Sequence, residues 1–98
     1  MKDSKKVEIE AATFRHLLKF LQDNSQVQNI DLMNLAGFCR NCISKWYLSE
    51  ADKCGEELDY EQAREIVYGM PYPDWKDKHQ KPASPEQLAK LEENAKND

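Results

Sequence analysis

The chain has 98 residues, of which 40% are hydrophobic and 33% are charged, and its net charge is −4. A chain of this length forms one domain with a modest core, and two tryptophans, four tyrosines and three phenylalanines are more than a disordered chain usually carries. The negative charge argues against nucleic acid as a partner, because affinity for phosphate depends on clustered lysine and arginine.

The first predicted element is an amphipathic helix over Val7–Gln22. Its apolar residues recur at the spacing of one helical face, and they are Ala11, Phe14, Leu17, Leu18 and Leu21. The turn-forming run 23–25 closes this helix.

The second predicted element is one continuous helix that starts at Asn29 or Asp31 and ends near Lys53, with Gly55 just past its end. Its apolar residues are spaced by three and four positions, and they are Leu32, Leu35, Cys39, Cys42 and Trp46. Gly37 falls inside this helix, where a close helix approach or a local kink would account for it. We therefore expect both cysteines on the buried seam, shielded by the leucines and the tryptophan.

Three shorter helices are predicted after the second. Asp59 and Gln62 form a capping signal for one of them, and Pro73 opens a very short one through Lys76. The run Ser84-Pro85-Glu86-Gln87 opens the last, whose end, residues 94–98, should fray. The sequence thus predicts an all-α, compact or partly open bundle of four to five helices in a single domain over residues 1–98, with an ordered core of about 7–92.

Three long runs of sequence resemble one family. They are Gly37-Phe38-Cys39-Arg40-Asn41-Cys42-Ile43-Ser44-Lys45-Trp46-Tyr47, the preceding run 27–36, and the later run 63–72 with Trp75-Lys76. Together they resemble the bacterial family called domain of unknown function 1244, over roughly residues 8–92. The resemblance implies a small helical protein that forms dimers, and it brings no assigned reaction and no catalytic residues.

The compartment is predicted from what the chain lacks. No segment approaches the roughly 20 apolar residues of a membrane span, and the first residues do not form a signal peptide. Three cysteines in a short chain are typical of a reducing compartment with free thiols. We therefore expect a cytoplasmic protein without a membrane partner.

The Cys39-x-x-Cys42 pair has three interpretations. A reactive thiol needs a helix start or a basic neighbour, and a continuous second helix would give Cys39 little of either. A zinc site needs four ligands, and the further candidates Cys54, His16 and His79 are isolated. The interpretation we favour is that both cysteines pack as small apolar residues. A break of the helix at Gly37 would strengthen the redox interpretation, because a new helix would then start near Cys39.

Four residues are candidates for binding a partner. Tyr72 and Trp75 lie in the proline-rich elbow, where we expect them to be exposed, and large aromatic residues are enriched at interfaces. Arg40 and Lys45, with Asn41 and Ser44 between them, lie on the flanks of the second helix. They form either a solvated face, which we favour, or a polar surface that binds an anion or a partner's carboxylates.

The leading functional hypothesis is a non-enzymatic interaction module that acts as a homodimer, with no cofactor. No serine, cysteine or carboxylate near His16 or His79 is arranged in a recognisable order of nucleophile and base. No catalytic residue is therefore assigned. The alternative is a small zinc-dependent or thiol-dependent enzyme centred on Cys39 and Cys42.

Overall fold

The computed structural model describes residues 1–96, and these residues form six α-helices and no strand. The helices are α1 (Asp3–Asp23), α2 (Asn29–Ala36), α3 (Arg40–Lys53), α4 (Tyr60–Tyr68), α5 (Tyr72–His79) and α6 (Pro85–Lys96). The all-α prediction is confirmed, and the six helices exceed the four or five expected. Of the tail predicted to fray, residues 97 and 98 lie outside the described part, and residues 94–96 belong to α6.

The extra helix arises because the predicted second helix is two helices. Gly37 adopts φ 79°, and its amide donates to the carbonyl of Met33 at 3.0 Å, which closes α2 at Ala36. Glycine reaches this left-handed conformation without the steric penalty that a Cβ imposes, so it ends helices readily. Phe38 and Cys39 then bridge to α3. The prediction of a continuous helix was wrong.

The predicted helix starts later in the chain are confirmed by their hydrogen bonds. The amide of Gln62 donates to Asp59 Oδ1 at 2.8 Å, and the amide of Asp59 donates to Gln62 Oε1 at 2.9 Å. Ser84 and Gln87 make the same reciprocal pair at 3.1 and 2.7 Å. Such pairs satisfy amides that have no acceptor within the helix. In the elbow, α5 starts at Tyr72 and runs to His79, beyond the predicted end at Lys76.

The helices pack into a partly open bundle. The most extensive contact joins α3 to α4, while α5 and α1 also pack on α4, and α6 packs on α2. The buried core residues are Leu18, Leu21, Ile43, Val67, Tyr68 and Trp75. The radius of gyration is 15.4 Å, compared with roughly 12.5 Å for a compact domain of this length. This expansion reflects the start of α1, where every residue from 3 to 10 is exposed.

None of the helices formed by residues 1–96 is long and apolar enough to cross a bilayer.

Candidate functional site

The start of α3 carries both cysteines of the predicted site. Cys39 is the residue that caps α3, with extended backbone angles of φ −144° and ψ −177°, and Cys42 is the third residue of the helix. Cys39 is buried as expected, Cys42 is half-buried, and both thiols are free, as is the exposed thiol of Cys54. The expected burial of Cys39 is therefore found, but its expected position inside a continuous helix is wrong.

The environment of Cys39 favours the neutral thiol. Burial raises the pKa of Cys39 above its ordinary value of 9.0, and a hydrogen bond with the Cys42 side chain acts in the same direction. The backbone amides of Asn41 and Cys42 oppose this shift, as expected for the first amides of a helix. Because desolvation outweighs the amides, the helix start does not make Cys39 a thiolate at neutral pH.

The predicted metal ligands do not come together. Within residues 1–96 there is no group of three or more His, Cys, Asp or Glu side chains placed to hold one ion. Cys54 is exposed beyond the far end of α3, and the ring of His79 lies 5.7 Å from that of Trp75. Cys39 and Cys42 could therefore supply two of the four ligands that a structural zinc requires.

Arg40 is a buried clamp, and its predicted place on an exposed flank was wrong. Its Nη1 donates to the carbonyl of Val27 at 2.6 Å and to Asn29 Oδ1 at 3.2 Å. Its Nη2 donates to the carbonyls of Asn24 at 3.1 Å and Leu21 at 3.3 Å. One side chain thereby joins the end of α1, the loop that follows it and the start of α2.

The guanidinium of Arg40 is surrounded by carbonyl groups and an aromatic ring. It lies 5.1 Å from the centre of the Trp75 ring, and burial lowers its pKa below the ordinary value of an arginine. The carbonyl of Leu21 belongs to the last turn of α1, where the helix dipole favours a positive charge. Ser44, also predicted on the exposed flank, is fully buried and donates to the Arg40 carbonyl at 2.9 Å. The side chains of Arg40 and Ser44 are therefore part of the interior and do not form a docking surface.

Trp75 belongs to the core, and its predicted exposure in the elbow was wrong. It is 1% exposed, and its ring meets the ring of Tyr68 edge-on at 5.0 Å. Tyr72 is half-buried, and its ring centre lies 5.3 Å from that of Tyr68. The left-handed Gly69, which ends α4, and the elbow after it turn α5 back against α4. The turn brings the aromatic side of α5 inward.

The break at Gly37 also reverses the expected burial of other residues. Leu35 is 87% exposed and Trp46 is 57% exposed, although the spacing placed both on a buried stripe. A spacing of three and four residues defines one face only while the helix is continuous. Lys45, the remaining partner-binding candidate, is exposed as predicted. It lies apart from the buried Arg40 and Trp75.

The comparison with known families decides the assignment. The model of the family described as "Protein of unknown function (DUF1244)" matches residues 27–93. The chain belongs to the DUF1244 family. The match begins after α1 and includes all of α2 to α5. No curated protein matches the chain.

A polar network around Tyr68 of this DUF1244 protein was not predicted. The hydroxyl of Tyr68 donates to Asn41 Oδ1 at 2.6 Å and accepts from Asn29 Nδ2 at 3.0 Å. Asn29 in turn accepts from Arg40, so half-buried polar contacts link three helices. The sequence offers little signal for this network, because Asn29, Asn41 and Tyr68 are separated by 12 and 27 residues and only Asn29, a candidate helix start, has a recognisable local role.

A second region of the DUF1244 protein, opposite in character, is the outer aromatic face, which consists of Phe14, Phe38, Trp46 and Tyr47. The rings of Phe14 and Tyr47 stack with centres 6.2 Å apart, and those of Phe38 and Trp46 lie 5.9 Å apart. A shallow cavity of about 270 Å³ opens there, lined by Phe14, Ile43, Trp46, Tyr47 and Glu50. This face joins α1 to α3 and is almost wholly apolar.

Proposed function

We propose that this DUF1244 protein is a non-enzymatic interaction module of the cytoplasm that works as a homodimer. The proposal rests on one observation, namely that the apolar stripe of α1 is covered by the rest of the chain at one end only. The uncovered end continues into the outer aromatic face. A second copy of the chain would cover both.

The stripe of α1 is continuous along the helix. At 100° per residue its members fall within an arc of about 80°, and they are Val7, Ala11, Phe14, Leu18 and Leu21. Leu18 and Leu21 are buried in the core, whereas Val7 is 64% exposed. A helix usually shows an apolar stripe where another element covers it. The uncovered half of the stripe is therefore a candidate surface for binding a partner.

The exposed area is consistent with a second copy as that partner. The chain exposes 7247 Å², whereas a compact monomer of 11.4 kDa exposes roughly 5,800 Å². The excess of about 1,400 Å² is larger than the roughly 800 Å² that each partner loses in a standard interface. An interface formed by the stripe and the outer aromatic face would bury part of that excess.

Charges at the edge of the stripe favour an antiparallel pairing of two α1 helices. Glu8 and Arg15 lie on the same edge, seven residues apart. Antiparallel helices that cross near Ala11 and Ala12 bring Glu8 of each protomer beside Arg15 of the partner subunit. The small side chain of Ala11, which lies on the stripe, permits the close approach that this crossing needs.

The test is the mass of the protein in solution, measured by light scattering coupled to size-exclusion chromatography. We expect twice the 11.4 kDa of the chain at micromolar concentration. Val7→Lys should weaken dimerisation about tenfold or more, because it places a charge on the stripe. The matched control is Ile9→Lys, which changes a 53% exposed residue on the opposite side of the same helix.

Two results would contradict the proposal. A strict monomer across the micromolar range would remove the dimer altogether. Dissociation by Ile9→Lys, with Val7→Lys still dimeric, would show that the interface lies on the other side of α1. Circular dichroism of each variant checks that α1 remains helical.

A second candidate is a zinc-dependent or thiol-dependent enzyme, and the observation that supports it is that Cys39 and Cys42 lie together at the start of α3 with free thiols. Metal analysis of protein purified without chelators would support it if one zinc per chain is found and is lost in Cys42→Ser. The matched control is Cys54→Ser, which removes the exposed thiol and should leave metal content unchanged. A chain without zinc, whose only rapidly labelled thiol is Cys54, would refute both versions.

A further inference from the structure

A polar cleft borders Asn29, Asn41 and Trp75, on a part of the surface that the proposed dimer interface does not use. It is bordered by the start of α2, by α5 and by the segment that joins α5 to α6, and its volume is about 540 Å³. Its lining residues are Gln28, Asn29, Ile30, Asn41, Tyr72, Trp75, Lys76, Gln80, Lys81, Pro82 and Ala83.

The charges that line the cleft are all positive. The lining includes Lys76 and Lys81 but no aspartate or glutamate, in a chain with 18 acidic and 14 basic residues. Neither lysine forms an ion pair within residues 1–96, whereas Lys5, Lys19 and Lys53 each pair with a carboxylate. The cleft is therefore a local basic site on an acidic protein.

The carboxylate at the start of α2 is already engaged elsewhere. Asp31 Oδ2 accepts from the amide of Gln28 at 3.2 Å, and its Oδ1 accepts from Gln87 Nε2 at 2.7 Å. Asp31 is not among the residues that line the cleft. It does not neutralise the two lysines by direct pairing.

The other polar groups of the cleft are mainly donors. Asn41 accepts through Oδ1 from Tyr68, and Gln80 accepts through Oε1 from Tyr72, so the carbonyl oxygens of both side-chain amides are occupied. Their NH₂ groups have no acceptor within the described residues. The amides of Asn29 and Ile30 are the first two of α2, and such amides lack an acceptor within their helix.

The wall that carries Lys81 is held in place by one buried side chain. Gln28 Nε2 donates to the carbonyl of His79 at 2.9 Å, and its Oε1 accepts from the amide of Lys81 at 2.8 Å. The Gln28 side chain thus connects the segment after α5 to the start of α2 through two hydrogen bonds, one donated and one accepted. This fixed geometry reduces the ordering that a ligand would have to impose.

We propose that the cleft binds a small phosphate ester, with Lys76 and Lys81 at its rim and the donors of Asn41, Gln80 and the start of α2 around the phosphate. Phosphate offers only acceptors and a negative charge, which matches a lining of donors and cations. The proposal is independent of dimerisation, because no residue of the cleft belongs to the stripe of α1 or to the outer aromatic face.

The test uses the fluorescence of Trp75, which lines the cleft, in a Trp46→Phe background that leaves it as the only tryptophan. Titration with pyrophosphate and with glycerol phosphate should give a saturable change, and citrate at equal ionic strength serves as the carboxylate comparison. Lys76→Gln and Lys81→Gln should each weaken binding about five- to tenfold, as expected for the loss of one charge-assisted contact. Lys78→Gln changes an exposed lysine of α5 outside the cleft and should have no effect.

Three results would overturn the proposal. The first is no saturation with either phosphate compound at millimolar concentration. The second is equal weakening by Lys78→Gln, which would indicate general charge screening. The third is equal affinity for citrate, which would remove the preference for phosphate. Chemical-shift changes at the amides of Asn29 and Ile30 upon titration provide a readout that does not depend on fluorescence.

Discussion

The two tryptophans of this protein lie in regions built on opposite principles. Trp75 is 1% exposed and is enclosed by Arg40 and Tyr68, whose polar groups find partners within the chain. Trp46 is 57% exposed on the outer aromatic face, where the neighbouring side chains are apolar. The inner cluster of Trp75, Arg40 and Tyr68 is enclosed within one chain, whereas the outer aromatic face keeps exposed apolar area. We therefore expect the first region to determine stability, and the proposed association rests on the second.

The largest expected effect separates the two regions directly. Trp75→Ala should lower the free energy of unfolding by about 3–5 kcal/mol, because it empties a packed site. Trp46→Ala should lower it by less than about 1 kcal/mol, as for other exposed positions. Urea denaturation in the Val7→Lys background excludes a contribution from dimerisation. Equal losses for the two variants would show that the regions do not differ in kind.

The next effect concerns the buried clamp. Arg40→Met should cost about 3 kcal/mol of unfolding free energy, because four oxygen acceptors, one buried and three half-buried, lose their donor. Lys45→Met, on the exposed side of the same helix, is the matched control and should change it by no more than about 0.5 kcal/mol. Denaturation curves measure both. A loss below about 1 kcal/mol for Arg40→Met would mean that the clamp is dispensable.

Alkaline pH should lower the free energy of unfolding through two buried groups, the hydroxyl of Tyr68 and the thiol of Cys39. Burial raises the pKa of Tyr68 above its ordinary 10.0 and that of Cys39 above 9.0. Above those ordinary values the unfolded chain loses protons that the folded chain retains, so stability falls as pH rises, by up to about 1.4 kcal/mol per pH unit for each group. Thermal midpoints measured from pH 8 upward test this. Tyr68→Phe should remove the part of the decline that begins near pH 10, and an unchanged decline would contradict the assignment.

The smallest expected effect distinguishes the two interpretations of Gly37. In a continuous helix, Gly37→Ala would stabilise the protein by about 1 kcal/mol. At the observed φ of 79°, the same change should destabilise it by about 1 kcal/mol, although nothing lies within 4 Å of the added Cβ. Gly55→Ala, at the same φ and equally open, should behave alike. A rise in the denaturation midpoint of Gly37→Ala would indicate a continuous helix, and a fall would indicate a helix that ends at Gly37.

Local signals determined which parts of this chain are helical. The capping pairs at Asp59 and Ser84, the prolines of the elbow and the apolar periodicity of α1 each act within about one turn, so the sequence alone reveals them. The family was likewise evident from contiguous runs of residues, and the match over residues 27–93 confirms it.

The tertiary structure alone decided which side chains are buried. A spacing of three and four residues is the same on both sides of Gly37, but one left-handed residue redirects the chain, so Leu35 and Trp46 are exposed. Arg40 and Trp75 enter the core because partners distant in sequence satisfy or surround them: the carbonyls at the end of α1 and the ring of Tyr68. Hydrophobic periodicity reports the face that a helix would bury, whereas burial itself depends on how the helices pack.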